Sequence, residues 1–222
     1  MQPGARHERI AGTRELNGRR ASPRAGPDHT VRFAWSEDLH GDANIQYIGL
    51  LRGINVGGHT VRMEGLRCLF GELGLAEVRS YIQSGNVFFA SPSTDRSRLA
   101  ADIEEHLQRS LGYEVPVFLR TVPELERVIS RDPFRDVVVT PDVRLCVAFT
   151  AEPLALKDLP AVSANRDMEI INAATFEAFV VWRLVGGRPP NFQGFLAKTL
   201  QTRITTRFFP TTARILEAAR GR

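Results

Sequence analysis

Between Tyr47 and Leu119 the apolar residues change period from one segment to the next, and that order of periods constrains the fold more than any other feature of the chain. Residues 47–51 form a short apolar run, as a buried strand does. Leu66, Leu69, Phe70 and Leu73 recur at helical spacing and Gly74 follows as a C-cap. Residues 78–83 and 86–90 read as two strands joined by a two-residue turn, Ser84-Gly85. Leu99, Ile103, Leu107 and Leu111 make a second helical stripe, stopped by Gly112, and Val115, Val117 and Leu119 alternate as a strand. The order is β-α-β-β-α-β, a split βαβ pair.

Thr121 and Glu124 then form a capping box with Pro123 in the first turn, so a linking helix follows, with Leu125, Val128 and Ile129 on its apolar face. Beyond it the pattern recurs in element order, though not in residues. Val143, Leu145, Val147 and Phe149 alternate as a strand. Residues 154–159 are expected to be a short helix broken by Pro160. Residues 168–171 and 176–184 form a hairpin around 172–174, and Asn191 caps a helix whose face includes Phe192, Leu196 and Leu200. An edge strand at 203–206 and a closing helix at 211–219 complete the chain. The expected fold class is α+β. Two ferredoxin-like (split β-α-β) subdomains, residues 44–120 and 137–222, pack in one body, joined by the linking segment 121–136. Residues 1–43 scatter their apolar side chains without period and set seven Arg against six acids, so they are expected to be a disordered tail. Phe33 and Trp35 are the residues of that tail able to dock on the body.

With 222 residues the chain can bury a core without staples. No apolar run approaches the ~20 residues of a spanning helix, and the first residues hold no apolar signal core, so a cytoplasmic protein with no membrane partner is expected. Cys68 and Cys146, the two cysteines, form neither a disulfide framework nor a metal motif, and both read as buried filler, Cys68 on the apolar side of the first helix. The net charge is +4, and 27 of the 29 basic residues are Arg. They are dispersed rather than clustered, so charge does not single out nucleic acid.

In a split βαβ unit the first two strands are parallel, with the third between them. The C-terminal ends of strands one and two therefore share one sheet edge. Here those ends are Arg52-Gly53-Ile54-Asn55-Val56-Gly57-Gly58 and Gln83-Ser84-Gly85-Asn86. Together they offer a guanidinium, carboxamides, a hydroxyl and open backbone N–H groups just before a helix, groups suited to an anion. The candidate site is Arg52, Asn55, Gly57, Gly58, Gln83, Ser84 and Asn86. The same residues also serve structure: Ser84-Gly85 suits a tight turn and Gly57-Gly58 a helix start. No phosphate-loop lysine follows the glycines, where His59-Thr60 stand instead, and His59 reads as a solvated loop histidine. His106 reads as a surface residue. No cofactor or metal pattern is present, and no residue can be named as nucleophile or general acid.

The strings Leu50-Leu51-Arg52-Gly53-Ile54-Asn55-Val56-Gly57-Gly58 and Tyr81-Ile82-Gln83-Ser84-Gly85-Asn86-Val87 closely resemble the hallmarks of the bacterial family called domain of unknown function 1697, and the similarity runs from about Tyr47 to Ala219. The resemblance implies two ferredoxin-like subdomains and supplies no reaction. A Lys is typical of the family where His59 stands. Near the C-terminus the family reads Thr-Arg-Asn-Trp-Asn-Thr, whereas Thr206-Arg207 are here followed by Phe208-Phe209-Pro210-Thr211; two carboxamides are missing, and Phe209 is left for the aromatic slot. The function these observations favour is binding of a phosphorylated small molecule or nucleotide at the glycine-rich loop, with Arg207 a remote contributor. The alternatives are a module for RNA, for which Tyr47, Phe88 and Phe89 are the candidate stacking rings, or for another protein, without catalysis.

Overall fold

The structure, a computed structural model, describes residues 44–58, 60–156 and 158–221. The expected tail, including Phe33 and Trp35, lies outside the described residues, as does His59. The first half follows the predicted order: β1 (Ile45–Leu51), α1 (Met63–Glu72), β2 (Ala76–Tyr81), β3 (Asn86–Ser91), α2 (Arg96–Leu111) and β4 (Val117–Thr121). The strands form one antiparallel sheet in the order β2-β3-β1-β4. Alternation along each strand divides its side chains between two faces. Tyr47, Leu51, Val87, Phe89, Val117 and Leu119 face α1 and α2, where they meet Leu66, Phe70, Leu99, Ile103 and Leu107. Each such buried ring or aliphatic chain contributes about 1.5–3 kcal/mol relative to exposure. Gly112 ends α2 at φ 79°, its N–H bonding back to Gln108.

The predicted two-residue turn is in fact a four-residue loop, 82–85. Tyr81 pairs with Asn86, and the Asn86 amide donates to the Tyr81 carbonyl at 3.1 Å, so a side chain closes the reversal.

α3 (Val122–Ser130) starts at the expected capping box, where the Glu124 carboxylate accepts from the Thr121 N–H at 2.8 Å. The second half holds β5 (Val143–Thr150), β6 (Ala161–Val162), β7 (Met168–Ala173), β8 (Glu177–Arg183), α4 (Phe192–Leu200), β9 (Ile204–Phe208) and α5 (Phe209–Ala219). These strands make a second antiparallel sheet, β6-β7-β8-β5-β9. Without β6, its order repeats that of the first sheet. Among the described residues of 154–159 there is no helix, against the expectation. Leu154, Leu156 and Leu159 instead lie half-buried against the outer face of the sheet, and Leu154 N–H bonds to Thr175 O at 2.7 Å. Pro160 closes the segment, and a helix this short is marginal without a face packed against the core.

Both sheets belong to a single compact unit. Their facing sides, with α3 and α5, enclose a shared core that includes Ile48, Leu50, Phe88, Phe118, Val147, Phe149, Phe179 and Ile215. At the edge of that core the buried Arg120 guanidinium reaches Glu177 at 2.6 Å and the carbonyls of Thr150 and Phe176. Among the described residues no helix is long and apolar enough to cross a membrane.

Candidate functional site

The two glycine-bearing corners do meet. β1 ends at Leu51, whose N–H donates to Gly85 O at 2.8 Å. Asn55, at φ 56°, spans the gap: its amide donates to Gln83 O at 2.9 Å and its Oδ1 accepts the Val61 N–H at 2.6 Å. Gly85 has φ 72°, and a Cβ there would stand 3.0 Å from that of Leu51 and 3.3 Å from that of Ile54. Gly57 and Gly58 also have positive φ but open space around them. Gly85→Ala is therefore expected to cost about 2 kcal/mol, from left-handed strain and overpacking together, against about 1 kcal/mol for Gly57→Ala. Equal losses in paired denaturant melts would refute the close approach.

Contact between the corners engages much of their polarity. Asn86 is fully buried; its amide donates to Ser84 Oγ as well as to Tyr81, and its Oδ1 accepts from Arg207 Nε at 2.8 Å. Arg207 comes from β9 of the other sheet. Its guanidinium also donates to Leu51 O at 3.0 Å, Ser84 O at 3.1 Å, Thr206 O at 2.9 Å and Thr205 Oγ1 at 2.9 Å. Every acceptor is neutral, and among the described residues no carboxylate forms an ion pair with it. Burial alone lowers the Arg207 pKa to about 10. The residue read from sequence as a remote contributor is thus the bolt beneath the corner.

What remains open at the corner is Arg52, Gly57, Gly58, Gln83 and Ser84, all exposed. Among the described residues the Arg52 guanidinium makes one long hydrogen bond, 3.4 Å to Ile204 O. α1 begins only at Met63 after an Arg62 N-cap, so Gly57 and Gly58 lie several residues before the helix and do not start it.

Beside Ser84 opens a groove of about 400 Å³ that the sequence did not announce. Its walls include Trp182 of β8, Phe192 of α4 and Phe208 of β9, with Ser84 and Arg207 on the corner side. The Trp182 ring centroid lies 5.8 Å from that of Phe192 and 6.4 Å from that of Phe208. Phe192 lies on the expected helix face, while the sequence assigns no role to Trp182 and marks Phe208 only as a departure from the family string. Phe209, left for the family's aromatic slot, is not on the groove: it stacks edge-on against Phe134 at 5.0 Å, beside the shared core.

Tyr47, Phe88 and Phe89 are all buried. The Tyr47 hydroxyl bonds to Ser93 O at 2.8 Å and its ring stacks on Phe89 at 5.6 Å. Both faces of the first sheet are covered, so these rings are not presented to bases. His106 lies against Glu72 at 3.0 Å, half-buried between α2 and α1.

The two thiols part company. Cys68, expected on the apolar side of α1, is exposed because helical spacing turns it away from Leu66 and Phe70. Cys146 is buried and accepts the Trp182 indole N–H at 3.3 Å; burial pushes its pKa up to about 11. A thiol reagent at pH 8 should modify one cysteine of the folded chain quickly, and Cys68→Ser should abolish that phase. Rapid modification of both would contradict the buried placement. Among the described residues no group of three or more His, Cys, Asp or Glu side chains is placed to hold a metal ion.

With this geometry in hand, comparison with known proteins adds a family and a fold. A family model described as "Protein of unknown function (DUF1697)" matches residues 45–178. Among solved structures, the conserved bacterial protein SP0830 from Streptococcus pneumoniae superposes with a TM-score of 0.57 at 22% identity, over 80% of this chain and 99% of that one. At that identity the likeness speaks for the fold. None of the curated proteins compared matches the chain.

Proposed function

Because the chain belongs to the DUF1697 family of proteins of unknown function, whose description carries no reaction, we propose its role from the corner itself: binding of a phosphorylated small molecule or nucleotide where the glycine-rich loop after β1 meets the 82–85 turn. Arg52 would supply a fork of charged donors, Gly57 and Gly58 backbone N–H groups, and Gln83 and Ser84 neutral donors that orient the ligand. We read the scaffold as two ferredoxin-like subdomains, 44–120 and 137–222, joined by 121–136. The supporting feature is the shared strand order, second-third-first-fourth, with the second unit lacking its first helix.

One observation carries the reading. The Leu51–Gly85 and Asn55–Gln83 hydrogen bonds hold together two loops about thirty residues apart in sequence, with Arg52, Gln83 and Ser84 left exposed. A preformed cluster of this kind needs little ordering when an anion arrives, which favours affinity. The uncompensated charge of Arg207 beneath it acts in the same direction.

The test is a thermal-shift series on the full chain with nucleoside monophosphates, sugar phosphates and inorganic phosphate. A ligand-dependent rise in Tm is expected, with Arg52→Ala weakening binding about ten-fold, the effect of one charge-assisted contact. No shift at millimolar ligand, or a shift indifferent to Arg52→Ala, would remove the proposal.

A further inference from the structure

Resting on that reading, we infer that the groove beside Ser84 receives a planar aromatic ring carried by the same ligand, which commits the site to a nucleotide-like molecule in preference to a simple sugar phosphate. Ser84 belongs both to the corner and to the wall of the groove, so ring and phosphate lie within one ligand's span. The groove volume, about 400 Å³, falls in the range of small-ligand pockets.

Its walls suit a π-face. Trp182, Phe192 and Phe208 surround it, and Phe208 is 48% exposed, a large ring left half in water at the end of a strand. Ile82, also on the rim, is 48% exposed at φ 48°, a conformation unfavourable to a β-branched residue. The Trp182 indole N–H is engaged with Cys146, so Trp182 offers the ligand its ring and not a donor. Base–aromatic stacking uses such faces without needing matched hydrogen bonds.

Charge decides what the ring must carry. Arg207 reaches the groove nine-tenths buried and, among the described residues, without a carboxylate partner. Thr211, in the first turn of α5, lines the same wall, and the N-cap of that helix, Phe208, provides no capping side chain. A cationic ring would meet this field unfavourably, whereas one bearing a phosphate complements it.

The experiment uses the full chain with Trp35→Phe, so that Trp182 is the sole tryptophan. A nucleoside monophosphate is titrated while Trp182 emission is followed, excited beyond the base absorption, and ribose 5-phosphate is titrated in parallel. Saturable quenching by the nucleotide, no quenching by the sugar phosphate, and about ten-fold weaker nucleotide binding in Phe208→Leu support the inference. Circular dichroism melts check that Phe208→Leu is folded. If the nucleotide raises Tm in an Arg52-dependent way but leaves Trp182 emission unchanged, the ring lies elsewhere: the inference falls and the corner proposal stands. Equal affinity for the nucleotide and for ribose 5-phosphate also overturns it. If neither compound binds, both readings fall together.

Discussion

Arg207→Met is expected to lower stability by about 3–5 kcal/mol, roughly 10 °C in Tm for a chain of this size. Methionine keeps the length of the stem and removes only the guanidinium. Asn86 Oδ1, Leu51 O, Ser84 O and Thr206 O then lose a charged donor, the first two in a buried site and the last two in a partly buried one. A buried acceptor left without a partner costs about 1–3 kcal/mol, and removal of the desolvated charge offsets part of the total. Arg207→Lys should recover little. Its ammonium is one point of charge, whereas the acceptors are divided between Nε on Asn86 and the two terminal nitrogens on β1, the turn and β9. The loss should also be local: amide exchange at Leu51, bonded to Gly85 O, should accelerate more than at the far end of the sheet. A variant melting within about 3 °C of the parent would show that the corner closes without the bolt.

How far this was legible in the sequence depends on whether the cause is local. α2 was readable because Leu99, Ile103 and Leu107 repeat at helical spacing and are all buried, and because Gly112 takes the left-handed cap that ends it. The capping box of α3 was readable for the same reason: its donor and acceptor lie three residues apart. Residues 154–159 misled because three leucines close in sequence fit a helical turn as well as an extended cover over a sheet, and only the second sheet decides between them. At the site, topology alone brought the two corners together, but it could not tell a carboxamide that faces a ligand from one that faces the protein. Asn86 faces the protein because Arg207, 121 residues later, meets it. The Thr206-Arg207 pair singled Arg207 out, but only as a remote contributor, because a partner 121 residues away leaves no local signature. The groove was hidden for a related reason: Trp182, Phe192 and Phe208 come from three elements, and only their assembly leaves a gap.

The second buried guanidinium tests whether the sheets need ion pairing as well as hydrogen bonding. Arg120 is 2% exposed and Glu177 8% exposed, with Nε and Oε1 2.6 Å apart. Burial lowers the Arg120 pKa and the neighbouring Glu177 opposes the shift, so the carboxylate is what makes the charge tolerable there. Glu177→Ala is expected to cost about 3–4 kcal/mol, since it strands a cation in the interior. The carbonyls of Leu119, Thr150 and Phe176 and the rings of Phe149 and Phe176, both 5.4 Å from the guanidinium carbon, remain to hold Arg120 but cannot neutralise it. Adding Arg120→Met should not double the loss, because the stranded charge disappears with the side chain. The double variant should fall short of the sum of the singles by about 2 kcal/mol, well beyond the ~0.5 kcal/mol expected of independent sites. Urea melts of the four proteins close the cycle, and an additive result would mean that Arg120, like Arg207, is held by neutral acceptors alone.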